Sequence, residues 1–220
     1  MDAGIASTFL FLRKYREMGI HLGRSSFGRI ENTGRFLSRQ EAQELLDTWV
    51  LNDRLKVHMY QVAHLMRSWS IEKCQASEQE AWKWELAGLL HDADWDQWPE
   101  QHCKKIIEEL ESRNIDPEVI HGIASHGHRH FGVEPVNELD KMLYAFDELS
   151  GFIHAYSLMR PEGYAGMDIK GVRKRLKDKA FAASVSREDI QDASNRAGIA
   201  LDELIEFVIK YQKEHSMALQ

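Results

Sequence analysis

From residue 38 onward, apolar side chains recur every three or four positions, and no stretch alternates with the period of two that a half-buried strand requires. That pattern confines the chain to helices packed on helices. Start signals divide it. Ser38-Arg-Gln-Glu41 and Ser77-Glu-Gln-Glu80 both have capping-box spacing, in which a hydroxyl and a carboxylate take up free N–H groups of a first turn. Pro99 and Pro117 suit first-turn positions, and Asp116, Asp168 and Ser186 are further cap candidates. The spacing predicts helices over 39–50, 53–74, 78–91, 99–112, 117–125, 137–159, 168–179, 187–197 and 200–214. The expected fold is all-α.

The expected plan is an extension at 1–36, one helical domain over 37–215 and a tail at 216–220. The extension carries Arg13, Lys14, Arg16, Arg24, Arg29 and Arg35 against few acids; an added helix or upstream extension is favoured there over a targeting segment. The whole chain, at 220 residues, can bury a substantial core. Its longest early apolar run, IASTFLFL, falls well short of the roughly 20 residues that cross a bilayer, so no membrane partner is expected. A net charge of −7 gives no global pull toward nucleic acid. Cys74 and Cys103 make neither a disulfide framework nor a thiolate zinc site, and a reducing cytoplasm is the expected compartment.

Three predicted helices each carry a polar group where an apolar one is due. The run WELAGLL ends abruptly in His91-Asp92, and buried imidazole and carboxylate are costly unless something pairs with them. Leu51, Leu55, His58, Val62, Leu65 and Trp69 step by four and three, placing His58 in an apolar stripe. Leu139, Met142, Leu143, Phe146, Ser150 and Ile153 outline a third face, with Asp147 on its edge. Each has a bland account alone: a lone His in such a stripe is more often a satisfied core residue than a ligand, and a carboxylate can cap or pair. Taken together, one bound cation accounts for all of them. Further imidazoles lie nearby. His102 follows Pro99, and HGIASHGHRH supplies His121, His126, His128 and His130. Of these four, His126 directly follows a helix and is the candidate; the others read as bystanders.

The ordered set His58, His91-Asp92, Asp147 resembles the signature of the HD superfamily of metal-dependent phosphohydrolases. LLHDADWDQWPEQH, IASHG, DELSGFIHAYSLMRP and KRLKDKAFAASVSREDI are similar to segments of a bacterial-type subgroup of HD hydrolases, so the resemblance spans about residues 38–212. It implies a single HD-domain helical bundle. It also implies that His58, His91, Asp92 and Asp147 hold a first divalent metal, with Asp92 able to bridge to a second. His102 and His126 match positions where two-metal members place extra histidines, and whether one ion or two bind stays open at this point.

The ligand types, imidazole and carboxylate without thiolate, suit Mn, Fe, Co, Zn or Mg. The expected function is hydrolysis of a phosphate ester of a small metabolite or nucleotide by metal-activated water. Asp92, Asp94 and His126 are the candidates for the chemistry itself, with Asp94, Asp96 and His126 in the sequence neighbourhood of a general acid. Lys177, Lys179 and Arg187, in and after the basic run KGVRKRLKDK, are the candidates for substrate phosphate. The expected partners are a small phosphorylated substrate and, as a homodimer, a second copy of the chain. Two other readings stand beside this one: a di-iron oxygenase on the same fold, and a non-catalytic regulator that binds nucleotide.

Overall fold

The computed structural model describes residues 34–218. The expectation for residues 1–36 therefore lies almost wholly outside the described residues, as does the end of the tail. Among the described residues the chain is all-α: α1 Arg39–Trp49, α2 Asp53–Glu72, α3 Glu78–Leu90, α4 Lys104–Ser112, α5 Pro117–Ser125, α6 His128–Phe131, α7 Glu138–Leu158, α8 Ile169–Lys177, α9 Arg187–Ala197 and α10 Leu201–Ala218. No described helix is long and apolar enough to cross a membrane. Two compact units are distinguished, one ending at Tyr144 and the other beginning at Ala145, so the boundary falls inside α7.

Local chemistry explains most helix ends. At α1 the capping box is complete: Ser38 Oγ accepts from Glu41 N at 3.2 Å, and Glu41 Oε2 accepts from Ser38 N at 2.7 Å. At α3 only half of it forms. Ser77 caps Glu80 N, but the Glu80 carboxylate turns instead to Lys83, 2.7 Å away. The predicted 99–112 helix is broken into a 3-10 turn, Pro99–Gln101, and α4 beginning at Lys104. Cys103, the residue before α4, caps nothing; Asp94 does so from another segment, accepting from Ile106 N at 3.0 Å. The short α6 was not expected, and it closes at Gly132 in the left-handed region, φ 72°.

In the unit ending at Tyr144, α2 and α3 form the closest helix pair, and α3 also packs on α5 and α1. The pairing depends on Gly88, where an added Cβ would stand 2.8 Å from Ala63 Cα. Around that contact Met59, Leu65, Met66, Leu86 and Leu90 are fully buried, each contributing about 1.5–3 kcal/mol of apolar transfer. Leu51 departs from the predicted stripe: it is 75% exposed in the loop before α2, where its N–H and that of Asn52 both donate to Asp96.

In the unit beginning at Ala145, Phe146 stacks on Phe207 of α10, and Phe152 meets Phe181 edge-on. Gln212 of α10 donates to the Ser150 carbonyl at 3.0 Å.

Candidate metal centre

His91 and His126 occupy equivalent local positions. Each is the residue just after a helix, α3 or α5, and its Nδ1 contacts the carbonyl three residues earlier: Gly88 O at 2.8 Å and Ile123 O at 2.6 Å. Helix ends leave such carbonyls without partners, so the ring supplies the missing donor. A carbonyl can only accept, which puts the proton on Nδ1 and a lone pair on Nε2 in both rings. His102 reaches the same state differently. Its Nδ1 lies 2.5 Å from Asp94 Oδ1, and this carboxylate fixes the tautomer.

The three Nε2 atoms converge on Asp92. Asp92 Oδ2 is 3.4 Å from His91 Nε2 and 3.8 Å from His58 Nε2. Asp92 Oδ1 is 3.4 Å from His102 Nε2 and 3.5 Å from His126 Nε2. One carboxylate thus faces two separate groups of imidazoles, one through each oxygen. His91, Asp92, Asp94, His102 and His126 are all at most 1% exposed.

The distances test whether a cation fits. They exceed the 2.7–3.2 Å typical of hydrogen bonds to nitrogen. Ligands about 2.0–2.1 Å from a shared ion, at right to tetrahedral angles, are themselves roughly 3.0–3.4 Å apart. His126 Nε2, buried and without a hydrogen bond, says the same, and the Nε2 atoms of His58 and His91 meet at 3.2 Å, a distance that suits a hydrogen bond or a shared cation. Because His91 Nε2 carries a lone pair, His58 must either donate a proton to it or share a cation with it. Asp147 stands on α7 three residues beyond Tyr144, in the other compact unit. One ligand atom each of His58, His91 and Asp92 lie within 4.8 Å of one another, as do those of Asp92, His102 and His126. The residues present therefore fit a divalent cation at either group.

Burial alone would raise the Asp92 carboxyl, but His91, His126 and His102 outweigh it and hold the group well below the usual carboxylate range. Phe131 packs edge-on against His102 and His126, with centroids 5.2 and 5.4 Å away, and Trp95 lies 5.1 Å from His102. These rings keep the second group dry.

Four sequence candidates take other roles. Both Asp94 oxygens are committed, to His102 and to the start of α4, so Asp94 positions a ligand and is not placed to hand on a proton. His126 likewise has its Nδ1 on a carbonyl and its Nε2 toward Asp92. Arg187, a candidate for substrate phosphate, is engaged by the backbone. Its guanidinium donates to the carbonyls of Asp178, Phe181, Ala182 and Val185 and lies over the Phe152 ring. Asp96, by contrast with a general acid, accepts two backbone N–H groups. Lys177 and Lys179 are exposed. His121, His128 and His130 remain outside both ligand groups; His121 pairs with Asp140 and His128 packs on Tyr144.

No curated protein and no solved structure matches the chain. Residues 56–151, which run from just before His58 to just after Asp147, match the family model of the HD domain. The His91-Asp92 pair just past α3 lies inside the matched segment, so residues 56–151 are similar to an HD domain.

Proposed function

We propose that the chain is a metal-dependent phosphohydrolase with two cation positions sharing Asp92, acting on a phosphate ester of a small metabolite or nucleotide. The observation that carries this reading is the convergence of three Nε2 lone pairs, each fixed by its own Nδ1 partner, on the two oxygens of one buried carboxylate. His58, His91, Asp92 and Asp147 would hold one ion, and Asp92, His102 and His126 the other. Such ions supply Lewis acidity to a phosphoryl oxygen and lower the pKa of a water toward neutrality. The residues' own contribution is rigidity. Asp94 and the two helix-end carbonyls hold the imidazoles in the neutral, metal-accepting tautomer, and the aromatic wall excludes bulk water. Lys177 and Lys179 are proposed to meet substrate phosphate as point charges.

Purified chain reconstituted with Mn²⁺, Fe²⁺, Co²⁺, Zn²⁺ or Mg²⁺ tests this against phosphomonoesters, phosphodiesters and nucleotides. Metal-dependent phosphate release that disappears in His91→Ala and Asp92→Ala is expected. Release that persists in those variants refutes the assigned centre. Two irons per chain with O₂ consumption and no phosphate release would replace the reading with an oxygenase.

A further inference from the structure

Phe131 stands against both imidazoles that belong to the second ligand group alone. Its ring meets those of His102 and His126 edge to face at 5.2 and 5.4 Å, and the two imidazoles are 5.3 Å apart. Trp95 also meets His102, perpendicular and at 5.1 Å. The chain makes room for the phenyl ring at Gly127, the residue after His126. An added Cβ there would strike Phe131 Cε2 at 2.5 Å, so only glycine admits the ring this close. Helix α6 brings it there within one turn: Phe131 N donates to the Gly127 carbonyl at 3.0 Å, and Gly132 ends the helix in the left-handed region. All of these residues lie in the unit ending at Tyr144.

These surroundings bear on which ion the group can take. Asp92 Oδ1, His102 Nε2 and His126 Nε2 offer three donor atoms. A four-coordinate ion such as Zn²⁺ or Co²⁺ then needs about one water beside them. Mg²⁺ demands a near-octahedral shell and dehydrates reluctantly, so it would need about three. An ordered water in turn needs roughly two to four polar partners. A phenyl ring has neither a lone pair nor a polar hydrogen to give. The wall therefore works against each added water, and most against the ion that keeps the most of them.

We infer that Phe131 determines which ion the second position accepts: by denying space and hydrogen bonds to metal-bound water, it favours a low-coordinate ion such as Zn²⁺ or Co²⁺ and disfavours Mg²⁺. The inference rests on the reading above that Asp92, His102 and His126 hold an ion. The test reads the visible absorption of Co²⁺ on the full chain, intense for a four-coordinate ion and weak for a six-coordinate one. Bands lost in His102→Ala and kept in His58→Ala belong to the second position. In the wild type they are intense. In Phe131→Ser, which opens the space and adds a hydroxyl, they weaken toward the six-coordinate form. There the ratio of Mg²⁺ to Zn²⁺ concentrations that displace the ion falls about 10-fold or more, the scale on which groups around a ligand shell act. Phe131→Leu, which stays apolar and bulky, keeps the wild-type spectrum and ratio. A general loss of affinity cancels in that ratio, so it does not imitate the effect. A weak, six-coordinate spectrum at the second position of the wild type refutes the inference without any Phe131 variant, and an unchanged ratio in Phe131→Ser refutes it too; both results leave the metal centre standing. A wild-type chain that takes up no stoichiometric Co²⁺, or whose bands all persist in His102→Ala, refutes the second position itself and the role of Phe131 with it.

Discussion

Two segments of this protein, 91–102 and 177–187, are both dense in ionisable side chains, yet they use them in opposite ways. In the first, Asp94, Asp96 and the helix-end carbonyl of Gly88 take up the protons and backbone donors, and lone pairs are left pointing at a common place. In the second, the most buried cation, Arg187, is largely used up locally: four backbone carbonyls take N–H groups of its two terminal nitrogens, and only the buried Nε is without a partner. Burial pulls Arg187 below its ordinary value, with Glu148 and Asp178 acting the other way. A buried charge marks a binding site only when its polar atoms are not already satisfied by the chain itself.

The largest effect that can break this contrast comes from the first segment. His91→Ala combined with Asp92→Ala removes two members of the first ligand group and the carboxylate shared with the second. Metal content measured by plasma emission should fall to background, and phosphate release should fall by about 10³-fold or more, matching several kcal/mol of Lewis-acid stabilisation. Asp94→Asn sharpens the comparison. It keeps the shape but removes the charge that orients His102, so the second ion should weaken by about 10–100-fold in a titration while the first is retained.

In the second segment the expected currency is stability. Arg187→Met strands several carbonyls and should cost about 2–4 kcal/mol in denaturant unfolding, with the metal stoichiometry unchanged. Retained stability with lost substrate affinity would return Arg187 to the site. The smallest effect belongs to Lys177→Ala with Lys179→Ala. Both side chains are exposed, so unfolding should shift by no more than about 0.5 kcal/mol. KM for the phosphorylated substrate should rise roughly fivefold, the worth of about 1 kcal/mol. An unchanged KM removes both lysines from the phosphate site.

What the sequence made legible follows the same division. Helix periodicity and caps are local, so α1, α5 and α9 begin and end where the spacing and the cap residues place them. His58, His91, Asp92 and Asp147 stood out as candidates because a polar group at or beside an apolar stripe is an anomaly that needs no partner to be noticed. The setting of Arg187 was hidden because its four acceptors are backbone carbonyls, which carry no sequence signature. The break before α4 was hidden for a related reason, since its cap is Asp94, twelve residues before Ile106. One signal was used only in part: His126 was a candidate because it directly follows a helix, but the carbonyl three residues back, which an imidazole placed like His91 or His126 can serve, was not invoked.

Trp95 gives the molecule its own optical reporter. Its ring lies against His102, while Trp49 and Trp98 pair with each other at 4.7 Å. An open-shell ion held by His102 would therefore sit one side chain away from an indole and drain its excited state. The emission of that tryptophan, isolated by replacing the others with phenylalanine, would then follow occupancy of the second position in real time, without a dye and without turnover.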